Sequence, residues 1–361
     1  RDGQVHADDF PSLQAAVDAL TPDGGVIHLG PRRYELSRPL VVEGKIALRG
    51  VMDAKVADTS SIILPAANFD GQWLIKTLPR PAESNPDLNN DIAFYDVNVV
   101  GNAKIGGLLA DNVDVLRIER CRLAYMRRCI DVRQITDLPR PFPARIMPGG
   151  LFVSNSIFQA SDICINLEYA TQNRIHSNWF VSNSGIVLWL RNSNKIWFVA
   201  NEVNRGRRAA IVLENDGPGG NHVHNNIIAL NWIHVPEPDV KITEVMYAES
   251  MYDILIADNI FEGRGQLELP TQRPERHNVF RDNAGKRGRV ADKATIPAGD
   301  TRVKVAHGLF REPVHVDVTP AQDTPRYRVT AMDNEHFELH ISEARDTPAE
   351  LTWQAVGTPK P

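Results

Sequence analysis

Asn155, Asn178 and Asn201 recur every 23 residues, each inside a similar hexapeptide: Val-Ser-Asn-Ser-Ile-Phe, His-Ser-Asn-Trp-Phe-Val and Val-Ala-Asn-Glu-Val-Asn. A fixed period of this length is the mark of a solenoid, in which each repeat buries its apolar face only against its neighbours. Extended outward, the column runs Asn98, Cys121, Asn155, Asn178, Asn201, Asn226, Asn259, Asn283. An apolar or aromatic residue stands three positions before each member, from Tyr95 through Phe152, Ile175 and Phe198 to Phe280. Short alternating runs such as Ile186-Val-Leu-Trp-Leu190 separate turn residues, which favours coils of strands over a helical repeat. Asparagine at a recurring bend can bond to the backbone and to its counterpart one coil away, so these residues are expected to be structural.

A chain of 361 residues with 42% hydrophobic and 24% charged residues has room for one large or two medium domains. Its net charge of −5 speaks against nucleic acid as a partner, because phosphate affinity needs a basic surface. No run of 18 apolar residues is present, so no membrane insertion is expected. The chain opens on Arg1 without a signal peptide, which suggests a processed polypeptide. Cys121, Cys129 and Cys164 show no CxxC spacing and read as small buried hydrophobes, and no metal site is indicated.

Phe10, Leu13, Ala16, Val17 and Leu20 share one face of a helix that Asp9 or Ser12 can cap, and Gly24-Gly25 stop it. Such a helix is placed to cover the open edge of a first coil. The run Asp9-Phe-Pro-Ser-Leu-Gln-Ala-Ala-Val-Asp-Ala-Leu, then Gly24-Gly-Val-Ile-His-Leu-Gly-Pro-Arg-Arg-Tyr-Glu-Leu, then Leu48-Arg-Gly50, resembles the entry to right-handed parallel β-helices of the pectate-lyase-like superfamily. That superfamily includes polysaccharide lyases, polygalacturonase-like hydrolases and phage tailspike depolymerases. The resemblance spans roughly residues 8 to 285 and implies an all-β solenoid. The domains expected are a cap over 1–25, a β-helix over 26–288 and a C-terminal β-sandwich over 289–361. The last is read from period-two runs such as Val314-His-Val-Asp-Val318 and Phe337-Glu-Leu-His-Ile341, and it is similar to C-terminal modules of phage tail proteins. Insertions near 136–145 and 235–242 are read as following one strand position, so that both wall the same groove.

Alternation in the best coils places Ile165, Leu188 and Ile211 inward and Cys164, Asn166, Glu168, Val187, Trp189, Arg191, Ala210 and Glu214 outward. Glu168, Arg191 and Glu214 then form one column, continued to Glu249 above and, with one residue of slip, to Arg133 below. Carboxylates on stacked coils of about 4.8 Å spacing come within reach of the separations used by glycosidases. The candidate catalytic residues are therefore Glu168, Arg191, Glu214 and Glu249, with Arg133, Asn166, Trp189, Asp216 and Tyr247 contacting substrate. The competing reading is a solvated ion-pair ladder that stabilises stacking. The resemblance adds that β-helix lyases often use arginine as base with calcium as cation, which gives Arg191 that role and makes Asp216 with Glu214 a partial calcium cluster. The function expected is cleavage of an acidic polysaccharide, outside the cell or on a virion, by hydrolysis or elimination. The alternative is a non-catalytic carbohydrate-binding or structural β-helix. Tailspike relatives imply a homotrimer and secreted lyases a monomer.

Overall fold

A computed structural model of the chain describes residues 3–21, 23–52, 59–78, 91–111, 113, 115–133, 150–204, 209–214, 223–235, 243–245, 253–263, 279–281, 284–285, 289–307, 313, 315–320, 326–333 and 336–356. By internal contacts it forms two compact units, 1–255 with 263–279, and 256–262 with 280–361.

In the first unit each turn of the chain contributes one strand to each of three parallel sheets. One complete coil runs Arg174–His176, Trp179–Val181 and Ile186–Arg191, and the next runs Trp197–Val199, Glu202–Asn204 and Ala209–Glu214. Ile175 pairs with Phe198, Phe180 with Val203 and Leu188 with Ile211, so equivalent residues stack directly. Three parallel sheets wound in this way are a parallel β-helix. The third sheet has eight strands, from Leu40–Glu43 to Thr243–Val245. Its inward side chains are fully buried, and the interior includes an aromatic stack in which Phe158 and Phe180 lie 4.7 Å apart.

Polar ladders close the corners. Asn201 Oδ1 accepts from Asn178 N at 3.0 Å and from Asn178 Nδ2 at 3.1 Å, while Asn201 Nδ2 donates to Ile175 O at 3.0 Å. Below, Asn178 Oδ1 accepts from Ser156 N at 3.0 Å, and Ser156 Oγ accepts from Cys121 N at 3.1 Å. Above, Asn231 Oδ1 accepts from Asn201 N at 2.9 Å. The ladder is thus Cys121, Ser156, Asn178, Asn201, Asn231, which corrects the expected column at Asn155 and Asn226; Asn98 is a third departure, since it pairs with Arg122 and leaves Val97 opposite Cys121. Asn155 is exposed with φ 51°, in the left-handed region that asparagine tolerates. Asn226 serves a different corner, where its Oδ1 accepts from Ile196 N at 2.9 Å. Asn283 lies outside the described residues.

The helix Leu13–Leu20 buries Leu13, Ala16, Val17 and Leu20, and of the two expected caps Ser12 accepts from Ala15 N. Gln14 lies against the end strand of the third sheet. Its Oε1 accepts from Val41 N at 2.8 Å and its Nε2 donates to Val41 O at 2.9 Å, so one side-chain amide completes an edge that would otherwise stay open. Gly25, at φ 148°, follows the helix where a Cβ would strike the Gly3 carbonyl.

The second unit holds two three-stranded antiparallel sheets. One has Ala349–Val356 between Arg289–Ile296 and His315–Pro320, and the other has His336–Ile341 between Arg302–Ala306 and Tyr327–Thr330. Residues of both sheets meet in one core around Phe337 and Trp353, whose rings lie edge to face at 5.0 Å. The small sandwich read from period-two alternation is present.

Candidate active site on the third sheet

The outer face of the third sheet collects the charge column. Glu168 pairs in register with Arg191, and Arg191 with Glu214. Asp111 pairs with Arg133, and Val132 with Leu167, so Arg133 stands beside Glu168 without the expected slip. The column reads Asp111, Arg133, Glu168, Arg191, Glu214, with charge alternating in sign at every coil. Above it, Val245 is the residue paired with Glu214. Glu249 lies four positions further along and, with Asp216 and Tyr247, falls outside the described residues.

Arg191 is held between its neighbours. Its Nη1 is 3.2 Å from Glu168 Oε1 and its Nε is 3.3 Å from Glu214 Oε2. The second contact has ion-pair distance without hydrogen-bond geometry, since Nε is buried and has no acceptor in line. Trp189 Nε1 donates to Glu214 Oε2 at 2.7 Å, and the Arg191 guanidinium lies 5.3 Å from the Trp189 ring centre. About a quarter of the Arg191 side chain reaches solvent, and about a fifth of each glutamate.

One coil below is a buried polar cluster that sequence reading missed. Asp131 is 0% exposed and accepts from Arg128 Nη1 at 2.8 Å and from Asn166 Nδ2 at 2.8 Å, while Arg133 Nε is 3.7 Å away. Asn166 is 1% exposed, and its Oδ1 has no donor. Buried polar atoms without partners are rare in folded proteins and mark places where a ligand or water completes the bonding. Further down, Trp73 lies across Gly106, where any Cβ would strike the indole, and faces the Arg133 guanidinium at 5.9 Å.

Cys164, Val187 and Ala210, expected on the outer face, are 0%, 0% and 1% exposed and belong to the core. At the start of these strands Arg128 and Ile186 are partly exposed and the residues that follow, Cys129 and Val187, are fully buried. The two insertions also leave from different corners. The chain departs the third sheet at Arg133 before residues 134–149, whereas it departs the second sheet at Val235 before residues 236–242. The insertions themselves lie outside the described residues.

Among the described residues no group of three or more His, Cys, Asp or Glu side chains stands close enough to hold a metal ion. Glu214, the donor expected for calcium, is committed to Arg191 and Trp189. The described donors do not make a calcium set.

No family model matches the sequence, and no curated protein matches it. Among solved structures the chain is similar to the A-module of the mannuronan C-5 epimerase AlgE6 of Azotobacter vinelandii, at 13% identity and TM-score 0.51 over 73% of this chain and 72% of that one. It is also similar to the DFA-IIIase of Arthrobacter chlorophenolicus A6, at 13% identity and TM-score 0.47 over 73% and 72%. The tailspike protein of Acinetobacter phage vB_ApiP_P1 matches at 11% identity and TM-score 0.47, over 99% of this chain and 87% of that one. At such identities the likeness is one of fold.

Proposed function

We propose that the protein binds an acidic polysaccharide along the outer face of the third sheet and cleaves it there. The observation that carries this reading is Arg191 clamped between Glu168 and Glu214 beside the Trp189 indole. An anionic sugar engages Arg191 by taking a contact from one glutamate. The displaced carboxyl then faces the glycosidic oxygen as the proton donor, and its counterpart serves as the base that activates water. Two coils separate the glutamates by roughly 9.6 Å along the backbone, near the upper end of the separation used in inverting hydrolysis, about 6.5 to 9.5 Å. In an elimination the freed carboxylate takes the proton on the carbon alpha to the sugar carboxylate while Arg191 neutralises the charge that develops; the bond from the adjacent carbon to the glycosidic oxygen breaks as the double bond forms, and the leaving oxygen takes a proton from water. Asn166 Oδ1 and the Arg133 guanidinium offer further polar contacts on the same face. Asp216, Tyr247 and Glu249 remain part of the proposed site by sequence alone. Such a substrate is met at a cell or virion surface, where we place the protein. A homotrimer fits the virion setting and a monomer the secreted one.

A second reading, a non-catalytic carbohydrate-binding or structural β-helix, is favoured by the same ion pairs, because a ladder of alternating charge stabilises stacked coils without chemistry. Incubation with a panel of bacterial and algal acidic polysaccharides separates the two. New reducing ends alone indicate hydrolysis, and reducing ends with the ultraviolet absorbance of an unsaturated uronide indicate elimination. Neither signal overturns cleavage and leaves binding.

A further inference from the structure

The outer face of the first sheet carries a different constellation. Arg117, Phe152, Arg174, Trp197 and Ile227 stand in register on successive coils. Cations and rings alternate. The Arg117 guanidinium lies 4.7 Å from the Phe152 ring centre, and that of Arg174 lies 5.9 Å from Phe152 and 4.9 Å from Trp197. Trp197 is 46% exposed, so one edge of a large ring is held firmly by Arg174 and much of the rest meets solvent.

Phe152, Arg174, Trp197 and Ile227 floor a groove of roughly 560 Å³ whose rim is Gln172, Lys195, Asn225 and Asp253. All four rim residues have φ between 53° and 58° and stand at the same corner of successive coils. The repeated left-handed corner therefore delivers four polar side chains in a row beside the aromatic floor. Charge decides what fits. Arg117 is paired with Asp91 at 3.5 Å, Arg128 with Asp131 and Arg191 with two glutamates. Among the described residues Arg174 and Lys195 have no carboxylate within 4.0 Å, and they face each other's side of one groove beside an exposed indole.

We propose that this groove is a second saccharide site, separate from the third-sheet face, that takes an anionic sugar chain. The Trp197 ring packs on a sugar face, Arg174 and Lys195 meet its carboxylates or sulfates, and Gln172 and Asn225 bond its hydroxyls. A rigid row of equivalent positions suits a polymer, since each coil offers the next sugar a similar contact. The proposal does not depend on cleavage at the third sheet, and it gives the molecule a hold on a chain that is being worked elsewhere.

The test is calorimetric titration of the full chain carrying Glu214→Gln, which isolates binding from turnover. The probes are a linear oligouronate, its carboxyl-reduced neutral counterpart and a sulfated neutral oligomer of the same length. Binding of the oligouronate, the sulfated oligomer or both, weakened at least tenfold by Trp197→Ala and by Lys195→Ala, supports the site and names its anion. Arg174→Lys should retain more affinity than Arg174→Ala. Among the described residues Lys195 has no side-chain hydrogen bond or ion pair, so its replacement reads binding without a folding defect. Unchanged affinity in these variants, equal binding of the neutral oligomer, or no binding of either charged probe overturns the proposal. Loss of cleavage activity in the native chain leaves all of these outcomes readable.

Discussion

The indole N–H of Trp189 donates to Glu214 at 2.7 Å from the neighbouring coil, on the side of the carboxylate that also faces Arg191. Glu214 is thereby aimed by a residue 25 positions earlier in the chain, and Trp189 acts as a positioning residue. Trp189→Phe keeps the ring and removes the donor. A hydrogen bond to a charged group contributes about 1.5 to 3 kcal/mol, so kcat on an acidic polysaccharide should fall roughly ten- to a hundredfold with KM little changed. A kcat unchanged by the substitution would make the contact structural only.

Asp131 is the most buried charge on this face, and two partners depend on it. Asp131→Ala strands the Arg128 guanidinium and removes the acceptor of Asn166 Nδ2. Breaking a buried pair from one side costs about 3 to 5 kcal/mol, and denaturant unfolding should show a loss of that size. A change below about 1 kcal/mol would mean that the cluster is wetter than its burial indicates.

Ladder membership gives a sharper contrast. Asn201→Ala leaves the Asn178 backbone N–H and the Ile175 carbonyl buried without partners, at about 1 to 3 kcal/mol for each group. Asn155 occupies no ladder, so Asn155→Ala should cost only the strain of alanine in a left-handed turn, about 1 to 2 kcal/mol, and Asn155→Gly less. Equal losses for Asn201→Ala and Asn155→Gly by chemical denaturation would contradict the assignment.

The three cysteines are buried and unpaired with one another by disulfides. Burial pushes the Cys121 thiol up to about 12, and burial together with the neighbouring Cys129 raises Cys164 well above its ordinary value. A folded pKa above the unfolded one means that stability is full below about pH 9 and declines between about pH 9 and pH 12, as the unfolded thiols ionise and Cys121 in the folded state does not. A native chain should resist thiol reagents at pH 8 and react at all three positions once unfolded. Fast labelling of the native chain would show that these thiols are reachable.

Much of this was legible in the sequence, because strands in a solenoid stack at matching positions. Coils of equal length carry their own register, so Glu168, Arg191 and Glu214 could be aligned by counting. Counting fails where a coil is longer. Asp131 stands 35 residues before Asn166, so the cluster they form was invisible to a 23-residue period. Neighbouring polar residues at a corner also disguise one another. Choosing Asn155 over Ser156 aligned Phe152 with Ile175, whereas Val153 is the residue that pairs with Ile175 and is buried, and Phe152 packs under Arg117. That single-position slip hid the whole aromatic row of the first sheet, since a one-residue shift exchanges the two faces of a strand. Asn226, which serves the preceding corner, stood in for Asn231 because this coil steps 30 residues from Asn201.

The most direct measurement is a crystal structure of the Glu214→Gln chain with an oligosaccharide of whichever polysaccharide the native chain cleaves. The account predicts a sugar carboxylate within hydrogen-bond distance of Arg191, with a sugar ring against Trp189 and the scissile bond between Glu168 and position 214. A chain bound only on another face, with the Glu168 to Arg191 contact intact at 3.2 Å, or undiminished cleavage by the variant, would contradict it.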